Sequence, residues 1–270
     1  MRRSYQIARG ALIASIVLAA ACAPKPLALP SGAGSPFAAA EDALAQATGA
    51  CRGVRSASAE LGLSGRVGAA KLRGRAIVGL AAPDRIRLEA VAPFGPPVFI
   101  LVSRDGRAAL LLPRDDRILD GEAPEDIVAA LAGIRLDPAS LRAALAGCGI
   151  EPSRAIAGRA YGDAWAAIDM DGDRTIFLRR DREEGAWTVR GAETRALTIT
   201  YDELAGARPA RLTIRARASG VPAELRLRVS QLEIDPDLGD PVFAIDVPAG
   251  AAPLTLGELR AAGPLGERRR

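Results

Sequence analysis

The sequence predicts a mainly β protein of the α+β type, in which an antiparallel sheet curves over a few short helices. Residues 57–234 hold many short apolar runs separated by turn signals, and several runs alternate polar with apolar side chains. Period-two alternation at hairpin spacing is typical of an antiparallel sheet with one dry face. Two short amphipathic segments lie between two blocks of these runs. We therefore expect these segments to cover the dry face.

The N-terminus has the pattern of a secretory signal over residues 1–21. Three arginines precede the apolar stretch 11–18, which is too short to span a membrane. The run Leu18-Ala-Ala-Ala-Cys22 resembles the lipobox of bacterial lipoproteins, in which the cysteine is diacylated and becomes the mature N-terminus. The alternative is an ordinary signal followed by a chance cysteine. The lipobox predicts a lipid anchor, and Ala23 in place of Asp favours the outer membrane, facing the periplasm.

Composition divides the rest of the chain into a tether, one large domain and a tail. Residues 22–38 are rich in Pro and Gly, which we expect to prevent a helix or a ladder and to space the domain from the bilayer. The domain covers 39–250, and the tail, 251–270, ends the chain after a short helix. The formal charge of +4 falls close to neutral once the signal is removed, which argues against nucleic acid as a partner.

Helix signals occur at four places. Pro124 opens one segment with acids in its first turn, and Asp137 caps a second segment that starts at Pro138 and ends near Gly147. The other two predicted helices are 38–50 and 254–261. Predicted strands are 64–72, 75–81, 85–91, 98–103, 107–112, 117–119, 154–160, 164–170, 174–180, 186–191, 196–202, 210–218, 223–234 and 242–247. The strand at 98–102 is apolar throughout, so we expect both of its faces to be covered.

An aromatic residue lies at the apex of the turn Ala92-Pro-Phe-Gly-Pro-Pro97. A turn so rich in Pro and Gly should be polar and exposed, because its backbone cannot join a ladder. Aromatic residues make up only 4% of the chain, so Phe94 stands out. It is either a core plug that folds inward or a residue that meets an apolar partner.

Several motifs between residues 60 and 150 resemble LolB, the outer-membrane lipoprotein that receives lipoproteins from the periplasmic carrier LolA and inserts them into the membrane. They are Asp84-Arg-Ile-Arg-Leu-Glu-Ala-Val-Ala-Pro-Phe-Gly, Asp105-Gly, Asp120-Gly-Glu, Leu131-Ala-Gly, Leu136-Asp-Pro and Leu141-Arg-Ala-Ala-Leu-Ala-Gly. The closing run Pro241-Val-Phe-Ala-Ile-Asp-Val-Pro resembles the wider LolA-like carrier superfamily. The resemblance implies an unclosed antiparallel β-barrel, curved over helices that plug a cavity for acyl chains.

The resemblance also implies roles for particular residues. LolB carries a protruding loop with a bulky apolar residue in a Pro-x-Gly turn, and Pro93, Phe94 and Gly95 match that turn, with Phe in place of the usual Leu. The added Pro96 and Pro97 depart from the pattern and stiffen the turn. The inward residues expected to line the cavity, or else to be ordinary core, are Ile86, Leu88, Ile100, Leu110, Leu112 and Leu131. The implied partners are lipoprotein acyl chains, a LolA-like carrier and the membrane surface, with the chain as a monomer.

Two further cysteines, Cys51 and Cys148, remain in the mature chain. In an oxidising compartment the pair suggests a disulfide between the first helix and the end of the helical plug. Two buried free thiols are the alternative.

Enzymatic activity is not expected. The chain has no histidine, which removes Ser-His-Asp triads, Cys-His pairs and His-ligated metals. The run Asp169-Met-Asp-Gly-Asp173 is similar to a calcium loop, but its glycine is misplaced and Arg180 occupies the twelfth position, so a hairpin with solvated acids explains it better. Sugar hydrolysis by carboxylates alone stays open. We expect no metal and no cofactor. Two other roles also stay open: a carrier of another envelope lipid or glycolipid, and a structural accessory lipoprotein.

Overall fold

One mostly antiparallel sheet organises the computed structural model, which describes residues 27–217 and 221–263. In these residues the sheet has fifteen strands in the order β1-β8-β9-β10-β11-β12-β13-β14-β2-β3-β4-β5-β6-β7-β15. The strands are β1 (Ser35–Pro36), β2 (Ser56–Val67), β3 (Ala70–Ala81), β4 (Arg85–Val91), β5 (Phe99–Arg104), β6 (Arg107–Leu112), β7 (Arg117–Glu122), β8 (Ala155–Tyr161), β9 (Trp165–Met170), β10 (Arg174–Arg180), β11 (Trp187–Glu193), β12 (Leu197–Ala205), β13 (Arg208–Ala216), β14 (Ala223–Ile234) and β15 (Ala252–Pro253). The edge strands β1 and β15 do not pair with each other, so the curved sheet is unclosed, as predicted.

Within the described residues, four α-helices lie on one face of this sheet, called here the inner face: α1 (Ala40–Thr48), α2 (Pro124–Ala132), α3 (Pro138–Ala146) and α4 (Leu256–Ala262). The predicted caps are confirmed. The Asp137 carboxylate accepts a hydrogen bond from the Ser140 amide at 2.8 Å, and Gly147 ends α3 in the left-handed region at φ 100°. The described part of the chain contains no helix long and apolar enough to cross a bilayer.

Two large apolar cores of described residues fill most of the space between helices and sheet, and a small cluster surrounds Cys51 and Cys148. The larger core joins α1 and α3 to the inner faces of β2–β4 and β9–β14, with Leu145, Ile176 and Ile214 fully buried. The smaller core joins α2 and α4 to β5–β7. The strands contribute to these cores through alternation. Inward positions such as Ile214 carry apolar side chains, and the residues next to them along the strand point away from the core.

The sequence prediction was wrong at two strands. The run 64–72 is divided by a hairpin turn at Gly68, which adopts φ 57°, so its two halves belong to β2 and β3. The run 242–247 is not a strand, since the chain forms a 3-10 helix at Asp240–Phe243 and then continues irregularly. This segment crosses the outer face of the sheet, where Arg87 donates hydrogen bonds to the carbonyls of Val242 and Ala244 at 3.1 and 2.8 Å.

The segments assigned by composition to the tether and the tail both contribute to the sheet. Ser35 and Pro36 pair with β8, so the expectation that Pro and Gly exclude a ladder was wrong here. Ala252 and Pro253 pair in parallel with β7, and Leu254 and Leu259 are buried in the smaller core. Each edge of the sheet is thus covered by a two-residue strand with a proline, and prolines are typical of protected edges because they cannot donate to a further strand.

Candidate functional site

The turn between β4 and β5 projects Phe94 into solvent. The residue is 89% exposed, the highest value among the exposed large apolar residues of the described chain, so Phe94 is not a core plug. Gly95 adopts φ 76°, a left-handed conformation that glycine tolerates without a steric penalty. Beyond the turn, β5 is buried on its inner face and partly covered on its outer face, as its apolar sequence predicted.

Arg114 braces this turn from the neighbouring β6–β7 turn. Its Nη2 donates hydrogen bonds to the carbonyl oxygens of Phe94 and Pro96 at 2.8 and 3.2 Å, and its Nε donates to Pro96 at 3.3 Å. These carbonyls have no ladder partner in a turn, so the guanidinium satisfies them and limits the motion of the apex. Sequence reasoning missed Arg114. The hairpin order contained the signal, because β4–β5 and β6–β7 turns lie at the same end of a meander.

The same end of the sheet, called here the Phe94 end, also carries the β2–β3 turn and the start of β14. The Gly68 amide donates to the Pro222 carbonyl at 2.8 Å and joins the β2–β3 turn to the segment entering β14. Val221, in that segment, is 60% exposed. Phe94 and Val221 therefore both face solvent at this end.

The predicted lining residues divide between the two cores and the outer face. Ile86 is buried in the larger core, and Leu110 and Leu131 are buried in the smaller one. Leu88 and Leu112 are half-buried, and Leu88 packs against both cores. Ile100 was wrongly assigned to the inner face. It is opposite Glu89 and Leu111 in the register, which places it on the outer face of the sheet.

Two hollows of the described surface, of about 520 and 390 Å³, flank α1. The larger one is lined by charged side chains that include Glu41, Asp42 and Arg154, and neither is lined by a predicted lining residue. Behind the Phe94 loop, the inner face of β5–β7 is occupied by side chains of α2 and α4, among them Ile127 and Leu259.

A disulfide connects the chain segments that directly follow α1 and α3, the two helices that cover the larger core. Cys51 and Cys148 are bonded with a Cα–Cα distance of 5.6 Å, and both are buried. The bridge ties the chain after α1 to the chain after α3 across 97 residues. Closing a loop of this length stabilises a fold by roughly 4 to 5 kcal/mol in the chain-entropy description. The helical cover is therefore held firmly at this side.

A buried tyrosine fixes the same region to the sheet. The Tyr201 hydroxyl accepts a hydrogen bond from the Gly149 amide and donates one to the Ala144 carbonyl, each at 2.7 Å. Complete burial raises the pKa of Tyr201 above its ordinary value, so the hydroxyl stays neutral and keeps both roles. The end of α3 is thus attached to β12.

The acidic run 169–173 belongs to the β9–β10 hairpin, as predicted. Asp169 is bound by Arg159, Asp171 by Arg174, and Asp173 by Arg195. Hydrogen bonds from the Ser153 hydroxyl and then from Arg174 lower the pKa of Asp171. Within residues 27–217 and 221–263, no group of three or more His, Cys, Asp or Glu side chains is arranged to hold a metal ion.

Neither the protein-family models nor the curated proteins include a match to this chain. Solved structures do resemble it. A LolA superfamily protein from Nitrosomonas europaea is 12% identical, with a TM-score of 0.49, over 76% of this chain and 97% of that chain. A putative outer membrane lipoprotein-sorting protein domain from Vibrio parahaemolyticus is 11% identical, with a TM-score of 0.45, over 76% and 97%. Lipoprotein LppX from Mycobacterium tuberculosis is 12% identical, with a TM-score of 0.31, over 74% and 100%.

Proposed function

We propose that this chain is a membrane-anchored lipoprotein of the outer membrane that binds acyl chains and, like LolB, receives lipoproteins and inserts them into the bilayer. The observation that carries the proposal is the exposed Phe94 on a loop braced by Arg114. The lipobox at Cys22, which lies outside the described residues, would hold this loop near the bilayer surface.

The braced loop suits brief insertion into a bilayer. Burying one phenylalanine side chain in an apolar phase is favourable by roughly 2 to 3 kcal/mol. Because Arg114 already fixes the backbone, little ordering entropy opposes the insertion. A contribution of this size is small enough for the loop to leave the bilayer again after each transfer.

Acyl chains would bind by hydrophobic burial on the inner face of β5–β7. Each methylene removed from water contributes about 0.8 kcal/mol, so no directional bond is needed. Ile127 and Leu131 of α2 occupy this face, so cargo must displace α2 and its neighbour α4. The unclosed sheet can open at this edge, because β7 is followed only by the two-residue strand β15.

We predict that the substitution Phe94→Glu slows the delivery of cargo to the bilayer. The full lipidated chain in liposomes receives a labelled lipoprotein from a loaded LolA-type carrier, and the label is followed from carrier to chain to bilayer. We expect Phe94→Glu to accept cargo normally and to deliver it at least tenfold more slowly, since a charge opposes insertion by a few kcal/mol. Phe94→Leu is the matched control and should deliver normally.

Equal delivery by Phe94→Glu and wild type would exclude the loop as the transfer element. Failure of the wild type to accept cargo from any carrier would exclude the LolB-like function as a whole.

A structural accessory lipoprotein is the second candidate, and the filled smaller core favours it. Native mass spectrometry of the chain purified from its own envelope separates the two. A co-purifying acylated molecule supports a carrier, and its mass distinguishes a lipoprotein from another lipid or glycolipid. A chain that never takes up acyl chains supports the accessory role.

A further inference from the structure

A second surface of the Phe94 end carries a concentration of positive charge. Alternation along β2, β3 and β14 places six cations on the outer face, which we call the basic face: Arg66, Lys71, Arg73, Arg75, Arg226 and Arg228. On β3 the alternate residues Leu72 and Ala76 are buried in the larger core, which confirms that the charged positions point away from it.

The register brings these charges together across three adjacent strands. Lys71 is directly opposite Arg66, and Arg75 and Arg228 lie on either side of Gly62. Like charges directly opposite each other in a sheet destabilise it. The small residues Gly62 and Ser64 between the arginines leave the guanidinium groups open to solvent. The fold therefore accepts a repulsion here that an external anion would relieve.

Acidic residues on the same face compensate only part of this charge. Glu224 forms ion pairs with Arg226 and Arg215, and Glu60 lies further along β2, opposite Ile77. Five cations make no side-chain hydrogen bond or ion pair with any residue that the structure describes: Arg66, Lys71, Arg73, Arg75 and Arg228.

The basic face adjoins the Phe94 loop. Arg75 is opposite Val91, the last residue of β4, so Arg73 and Lys71 extend beyond β4 toward the end that carries the loop. Farther from the Phe94 end, the same outer face is covered by the segment that contains the 3-10 helix. Leu238 and Val242 of this segment lie beside Gly79 of β3. Among the described residues, the cations in the half nearest the Phe94 end are exposed to solvent.

We propose that the basic face binds the phosphate groups of anionic phospholipids and thereby orients the Phe94 end toward the bilayer. Charge complementarity and continuity with the exposed loop identify the occupant as an anionic bilayer surface. A basic residue close to such a surface strengthens binding about fivefold. The proposal shares with the proposed function the premise that the Phe94 end meets a membrane, but it requires neither a carrier nor a lipoprotein cargo.

Vesicle co-sedimentation tests the proposal with the full chain carrying Cys22→Ser, so that no acyl anchor contributes. Binding is compared between phosphatidylcholine vesicles and vesicles that also contain phosphatidylglycerol. We expect tighter binding to the anionic vesicles, reversed by salt, and a loss of about 25-fold in Arg73→Gln/Arg75→Gln. The matched control, Arg107→Gln/Arg182→Gln, removes the same charge at the opposite end of the sheet, from the start of β6 and from the β10–β11 turn, and should bind as the parent does.

Three results would overturn the proposal. The first is equal binding to the two kinds of vesicle, which would favour an acidic protein as the partner of the basic face. The second is an equal loss of binding to anionic vesicles in the two double variants, which would show that only the net charge of the protein matters. The third is a loss of this binding in Phe94→Glu with no loss in Arg73→Gln/Arg75→Gln. That third result would leave the role of Phe94 in delivery intact, so the two proposals fail separately.

Discussion

Single side chains hold this fold at points where backbone hydrogen bonding is incomplete. Arg114 binds two carbonyls of the Phe94 loop, and Tyr201 binds the Ala144 carbonyl in α3 and the Gly149 amide after it. Both side chains connect segments that are distant along the chain. Their roles follow from proximity in the folded sheet, which explains why no local pattern in the sequence indicated them.

At the residue scale we predict a clear cost for Tyr201→Phe. The variant keeps the buried ring but leaves the Gly149 amide unpaired and the Ala144 carbonyl with only the Gly147 amide as its partner, which lowers the free energy of unfolding by about 1 to 3 kcal/mol. Denaturant titration measures this loss. Tyr161→Phe, which removes a half-exposed hydroxyl, is the control and should change stability by less than half as much. Equal losses of unfolding free energy in the two variants would show that the buried hydroxyl stabilises the fold no more than the half-exposed one.

Among the elements, the helix α4 has an attachment that depends on pH. Glu258 forms a capping box with Thr255 and an ion pair with Arg117 of β7 at 2.8 Å. The hydrogen bond from Arg117, followed by those from Thr255, lowers the pKa of Glu258 from 4.5 to about 2. A lowered pKa in the folded state stabilises the folded state above the unfolded pKa and loses this effect as the carboxylate is protonated.

We therefore predict that Glu258→Gln loosens α4 at neutral pH and that the difference from wild type disappears in acid. The difference should be full above about pH 4.5 and should vanish as the pH falls toward about 2. Hydrogen exchange of the amides in residues 256–262, compared between the two proteins at each pH, measures it. Glu183→Gln, in the β10–β11 turn, is the control. A difference that persists unchanged at pH 2 would contradict the assignment.

Elements with alternating side chains could be predicted from the sequence, and elements defined by the sheet edges could not. Alternation revealed most strands because burial on one face imposes a period of two. Alternation could not assign the Ile100 side chain to a face, because the strand 98–102 is apolar throughout. Only the pairing register with the neighbouring strands shows that Ile100 lies on the outer face. The run 242–247 is apolar except for Asp246, as a buried strand would be, yet Pro241 and Pro248 bracket it and Phe243 packs on the outer face instead.

At the scale of the whole molecule, an unclosed sheet separates two surfaces with different chemistry. Its inner face is dry and filled by helices that the Cys51–Cys148 bridge and the Glu258 contacts hold in place. Its outer face is basic near the Phe94 end. The sequence predicted the exposed loop from its Pro and Gly content. It did not predict the basic face, because that surface arises only when β14 pairs with β2, more than 150 residues earlier in the chain.

Contact between Phe94 and the bilayer interior is the central claim, and fluorescence quenching tests it most directly. The full chain carrying Phe94→Trp is bound to vesicles whose phospholipids have brominated acyl chains, which quench tryptophan only at short range. Wild type, with Trp165 and Trp187, gives the baseline. We predict strong additional quenching and a blue-shifted emission in the Phe94→Trp variant. Emission that stays at the wild-type level of quenching, with the spectrum of a solvent-exposed tryptophan, would contradict the account.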